Sequence, residues 1–151
     1  MKRIVALADF SDVTSDLVNL AGHMARDTGA ELVLLHVAMP DADIVNGKER
    51  QNRSRQGIAA ELKGRHRQLQ ILQLALKKLG VDVLPMLVRS DSARGNPVPK
   101  IVEQLERLAP DLVVMGSHGH GRLYELLVGS VTAAVVRRAR RPILLVPSPR
   151  A

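Results

Sequence analysis

Residues 111–121 read Asp111-Leu112-Val113-Val114-Met115-Gly116-Ser117-His118-Gly119-His120-Gly121, and nine residues separate Gly119 from Gly129-Ser130. The apolar run Leu112–Met115 is unbroken, which suits a strand buried on both faces, as in parallel sheets. It enters a glycine-rich turn, where backbone can approach a ligand closely and successive N–H groups can form an anion-binding nest. Val131, Val135, Val136 and Ala139 then fall at helical spacing. A helix opening at Gly129-Ser130 adds unpaired N–H donors and about half a positive charge at its start. Ser130 and Thr132 add hydroxyls. The local reading is strand, turn, helix, with a phosphate cradle between them.

Four further apolar runs flank this unit: Ile4 to Ala8, Leu32 to Val37, Val81 to Val88 and Ile143 to Val146. Asp82 and Pro85 interrupt the third of these. Helical stripes lie between them. Val13, Leu17, Leu20, Ala21, Met24 and Ala25 share one face, with Ser11 or Asp12 as the expected cap and Gly29 as the stop. Ile58, Leu62, Leu69, Leu72, Leu76 and Leu79 make a second stripe ended by Gly80. Val98, Ile101, Val102, Leu105 and Leu108 make a third, introduced by Pro97. The order β-α-β-α-β-α-β-α-β predicts an open α/β fold, a five-stranded parallel sheet with helices on both faces. Ligands of such sheets bind outside the carboxyl ends of the strands, at the switch in strand order. Those ends carry Asp9, His36-Val37-Ala38 and Gly116. The connection from Pro40 to about Gly57 is polar and is expected to be a mobile excursion or the frayed start of the second helix.

Composition narrows the chemistry. A length of 151 residues predicts one domain, residues 1–151. With no cysteine, disulfides, Cys-based zinc sites, iron–sulfur clusters and a thiol nucleophile are excluded. The excess of 22 basic over 15 acidic residues, +7, hints at an anionic partner. The run Ile4–Ala8 is shorter than the apolar region of a signal peptide, and no window approaches the ~18 apolar residues of a membrane span. The expectation is a cytoplasmic protein. One Phe, one Tyr and no Trp argue against recognition that stacks many bases on rings.

Several blocks, in order, resemble the universal stress protein family. They are Asp111–Gly119, then Leu127-Val128-Gly129-Ser130-Val131, then Arg141-Pro142-Ile143-Leu144-Leu145-Val146-Pro147. Gly116, Gly119, Gly129 and Ser130 match the G-2x-G-9x-G-(S/T) signature of the family's ATP-binding branch without a gap. Ile4–Ser11, His36-Val37 and Gly95-Asn96-Pro97 resemble its first strand and turn, the end of its second strand and the start of its third helix. The resemblance implies a Rossmann-like, adenine nucleotide alpha hydrolase-like sheet in the order 3-2-1-4-5 that binds ATP, or AMP or ADP, with or without Mg²⁺. It places Ala8, Asp9 and Val37 in the adenine and ribose region. Met115, Gly116, His118, Gly119, Gly129, Ser130, Val131 and Thr132 would surround ribose and phosphates. No catalytic residue is assigned. It also implies a homodimer through the strand Ile143–Val146, an apolar sheet edge bracketed by Pro142 and Pro147.

Other motifs are weaker. His118-Gly119-His120-Gly121 fails the H-x-G-H pattern, and two histidines alone seldom make a metal site. No G-x-x-x-x-G-K-(S/T) loop and no G-x-S-x-G elbow occurs. Asp9 can also be read as a cap of the first helix. The tract from Lys48 to Arg67 is strongly basic and reads as a solvated face, with nucleic-acid binding as the sharper and less favoured alternative. The leading expectation is an ATP-binding regulatory stress-response protein acting on an unidentified protein partner. The alternatives are a slow ATPase or autophosphorylating enzyme, and a basic nucleic-acid-associated protein.

Overall fold

The five apolar runs are strands β1 (Arg3–Leu7), β2 (Glu31–Ala38), β3 (Val83–Arg89), β4 (Leu112–Gly116) and β5 (Ile143–Val146) in the computed structural model, which describes residues 1–39, 55–92, 95–118 and 128–147. Between them lie helices α1 (Thr14–Thr28), α2 (Arg55–Lys77), α3 (Val98–Leu108) and α4 (Ser130–Arg138). All pairings are parallel, in the order β3-β2-β1-β4-β5. Ile4 at the centre stands beside Leu32 on one side and Leu112 on the other.

The unbroken apolar runs are explained by burial on two sides. Ile4, Ala6, Leu32, Leu34 and Val114 face α1 and α2, where they meet Leu17, Ala21, Leu69 and Leu76. Val5, Val33, Leu35, Val113 and Met115 face α3 and α4, where they meet Ile101, Leu105 and Val135. β3 lies at the edge, where Pro85, which has no N–H to give, is tolerated. α2 is fastened by Leu69 and Leu76, both buried, each contributing roughly 1.5–3 kcal/mol. Gly22 of α1 lies against Leu76, so a side chain there would displace it.

Two local expectations change. Neither Ser11 nor Asp12 caps α1. The cap position is Val13 and makes no side-chain bond. The Ser11 hydroxyl donates to Asp9 Oδ1 at 2.6 Å, and it is the Ser11 backbone carbonyl that accepts the Thr14 N–H, at 3.0 Å. The second helix starts at Arg55, before its apolar stripe, so of the two forms expected for the connection, residues 55–57 take that of the helix start, and the basic tract is helical over 55–67. Residues 40–54 of the expected connection lie outside the described residues. At the foot of the sheet, Asp111 accepts the Lys2 and Arg3 backbone amides at 2.6 and 2.9 Å, joining the start of β1 to that of β4. These two bonds, the first the stronger, hold its carboxyl below the usual 3.8.

Candidate functional site

Strand order reverses between β1 and β4, and a cleft of about 540 Å³ opens above their carboxyl ends. Its floor is apolar: Leu7, Leu35, Ile101 and Met115 all line it. Its two ends differ.

One end is made by β4 and α4. Gly116, His118, Val131 and Thr132 line it. β4 is held to β5 as far as Ser117, whose N–H donates to the Val146 carbonyl at 2.9 Å. The Ser117 carbonyl accepts the Gly129 N–H at 2.8 Å, and the Thr132 hydroxyl donates to the Gly116 carbonyl at 3.0 Å. These bonds fix the start of α4 against the end of β4. By helix geometry the amides of Ser130, Val131 and Thr132 have no acceptor within α4. The two described glycines act differently. A Cβ on Gly116 would meet Val13 Cγ1 at 2.9 Å and the His118 carbonyl at 3.1 Å, so packing requires its absence. A Cβ on Gly129 would lie 3.4 Å from His118 Cα, an ordinary contact, and its φ of −67° suits any residue. The protein's own packing does not demand glycine at 129.

The other end is made by the tips of β1 and β2 and by α2. Asp9 Oδ1 accepts the Ser11 amide at 2.9 Å and the Ser11 and Thr14 hydroxyls. Phe10, between them, takes a left-handed φ of 59°. That turn places its ring against His36, with centroids 4.6 Å apart. His36 is buried and its Nδ1 donates to the Ala8 carbonyl at 2.6 Å; since a carbonyl can only accept, Nδ1 carries the proton. Arg65 of α2 lies over the Phe10 ring, its Cζ 5.5 Å from the centroid. Arg65 and Glu61, one helical turn apart, both line the cleft.

Of the expected binding residues, Ala8, Asp9, Val37, Met115, Gly116, His118, Val131 and Thr132 come together around the cleft. Gly129 and Ser130 do not line it. The Gly129 amide is turned to the Ser117 carbonyl, and Ser130 is exposed. The Thr132 hydroxyl has its proton committed to Gly116, so it can only accept from a ligand. Gly119 lies outside the described residues. Glu61, Arg65, His36, Gly95 and Pro97 line the cleft without having been singled out as ligand contacts. Arg65 had a signal: it falls on the inward stripe with Leu69, Leu72 and Leu76, spaced i, i+4, i+7 and i+11. Among the described residues no group of three or more His, Asp or Glu could hold a metal. No described helix is long and apolar enough to cross a membrane.

A model of the universal stress protein family matches residues 1–147. The universal stress protein MJ0577 of Methanocaldococcus jannaschii is 28% identical over 157 residues, covering 96% of this chain and 94% of that one. Its solved structure superposes with a TM-score of 0.78 at 27% identity, covering 99% and 98% of the two chains. A universal stress protein solved in complex with cAMP superposes with a TM-score of 0.69 at 24% identity, covering 97% and 96%. One from Archaeoglobus fulgidus, in complex with dAMP, superposes at 0.62 and 18% identity, covering 96% of each chain.

Proposed function

The chain belongs to the universal stress protein family, and from that premise we propose that it binds an adenine nucleotide, ATP foremost, in the cleft between β1 and β4 and acts as a nucleotide-dependent regulator. One observation carries this reading. The cleft is an apolar slot whose far end is the start of a helix, so it has a place for a flat base and a place for phosphates. Relatives of the same fold are known with cAMP and dAMP, which favours adenine as the base.

In this reading Ala8, Asp9 and Val37 hold the base and sugar. Met115, Gly116, His118, Val131 and Thr132, with Gly129 and Ser130 beside them, surround ribose and phosphates. Mg²⁺, where it accompanies ATP, would neutralise phosphate charge while keeping several of its waters. Adenine nucleotide binding is tested by mass spectrometry of the small molecules released when freshly purified protein is denatured. ATP, ADP or AMP at about one per chain is the expected result; protein free of nucleotide that also fails to melt higher in millimolar ATP–Mg²⁺ contradicts it.

The regulator works as a homodimer through β5. Ile143, Leu144, Leu145 and Val146 are only half-buried at the sheet edge. An apolar edge with free backbone groups is a template for a second strand, and a two-fold axis closes the pair. Light scattering at tens of micromolar is expected to give the mass of two chains, and Leu145→Lys to abolish it. A monomeric parent overturns the dimer.

A further inference from the structure

We propose that Arg65 is a nucleotide-binding residue that lays its guanidinium on the base, which makes α2 a wall of the site. The inference rests on the nucleotide reading above and adds to it a contact from a different helix.

The two ends of the cleft fix the direction in which a nucleotide lies. The β4–α4 end offers helix-start amides and the positive end of α4. Among the described residues, the β2–α2 end carries two carboxylates, Asp9 and Glu61, against one guanidinium. Phosphates are favoured at the first end and disfavoured at the second. The base therefore lies at the second end, beside His36, Val37, Ala38 and Met39, which is where Arg65 reaches the cleft.

A base in that position needs a flat partner. No Phe, Tyr or Trp lines the cleft among the described residues. The Phe10 ring is close by but is covered: Arg65 lies over it at 5.5 Å, and His36 leans on it at 4.6 Å. Two planar groups line this end, the buried His36 imidazole and the half-buried Arg65 guanidinium, and Arg65 is the one more open to a ligand. A guanidinium is delocalised, weakly hydrated and stacks on aromatic faces, and bases stack on guanidinium planes as they do on rings. Its position is held from behind. Arg65 is half-buried on the stripe it shares with Leu69 and Leu76, so the side chain leaves an anchored part of α2. An ammonium has no plane, so lysine cannot replace it.

Calorimetric titration of adenosine, AMP and ATP into the parent, Arg65→Lys and Arg65→Met tests the assignment. Both variants are expected to bind about tenfold more weakly, by the same factor for all three ligands, since all three share the base. A loss that grows with the number of phosphates and is rescued by lysine would make Arg65 a phosphate ligand and overturn the proposal. Unchanged affinity in both variants would overturn it too, while leaving the nucleotide reading intact. If the parent itself binds none of the three ligands, the nucleotide reading fails, and this inference with it.

Discussion

The two ends of the cleft are built by different means. At the β4–α4 end the surface is built on a strand end and a helix start, joined by bonds that run through the backbone of Gly116, Ser117 and Gly129 and the Thr132 hydroxyl. At the β2–α2 end it is mostly side chains, brought together by a helix that packs from outside the turn: Asp9, His36, Glu61 and Arg65. A backbone site is sensitive to added atoms, whereas a side-chain site is sensitive to removed or exchanged ones.

Gly129→Val tests that difference most severely. Valine's methyls would enter the space between His118 and the first amides of α4. Ligand at 100 times its Kd stabilises the parent by about 2.7 kcal/mol, and the variant is expected to lose nearly all of that. Its melting temperature without ligand should stay within a few degrees of the parent's, because φ at 129 suits valine. Differential scanning fluorimetry with and without ATP–Mg²⁺ reads both quantities. An undiminished ligand shift would place the phosphates elsewhere.

Gly116→Val should show the reverse pattern. Its Cβ meets Val13 and the His118 carbonyl, so overpacking is expected to lower stability by about 1–3 kcal/mol even without ligand. Urea unfolding measures it. Equal stability would mean that the β4 turn is looser than its contacts indicate. A smaller effect is expected for Ser130→Ala, at most one ordinary hydrogen bond or about 0.5–1.5 kcal/mol of affinity, since Ser130 is exposed beside the cleft rather than lining it. Titration calorimetry would detect a larger loss, which would bring its hydroxyl into direct contact with phosphate.

The smallest effect on the cleft belongs to Asp111, at the opposite end of the strands. Its pKa is lowered in the folded chain, chiefly by the Lys2 amide. A lowered carboxyl gives stability that is complete above its ordinary value of 3.8 and is lost as pH falls through the folded value. Asp111→Asn should flatten the acid limb of the stability profile and leave nucleotide affinity at neutral pH unchanged. A change in affinity would mean that the foot of the sheet communicates with its mouth.

The same contrast separates what could be read from the sequence and what could not. The elements of the β4–α4 end were legible because they are near neighbours in the chain, an unbroken apolar run at Leu112–Met115 and a helical spacing at Val131–Ala139, although Gly129 and Ser130 do not line the cleft. Strand order followed from the family resemblance and was matched by the register of Ile4 between Leu32 and Leu112. At the β2–α2 end Ala8, Asp9 and Val37 were expected, whereas Arg65 was not, because it meets Phe10 only through the packing of α2 by Leu69 and Leu76. A charge count over residues 48–67 treats Arg65 as one cation among several, whereas its place on the leucine stripe sets it apart. The Ser11 cap was misread for a related reason: a propensity for capping does not reveal where the helix starts, and the cap position falls on Val13, two residues beyond Ser11.

The central position of β1 has a consequence for synthesis. Its β4-side neighbour is encoded far downstream, since Ile4 pairs with Leu112. At translation rates of about 5–20 residues per second, the interval between the two is roughly 5–20 s. For that time the first strand made can pair on its β2 side only, and its other edge presents open amides and carbonyls beside Val5 and Ala6. Such an edge is sticky. A strand paired along both edges in the finished protein is therefore open along one of them on the ribosome, and nascent chains stalled before Asp111 are expected to be those that aggregate or recruit chaperones.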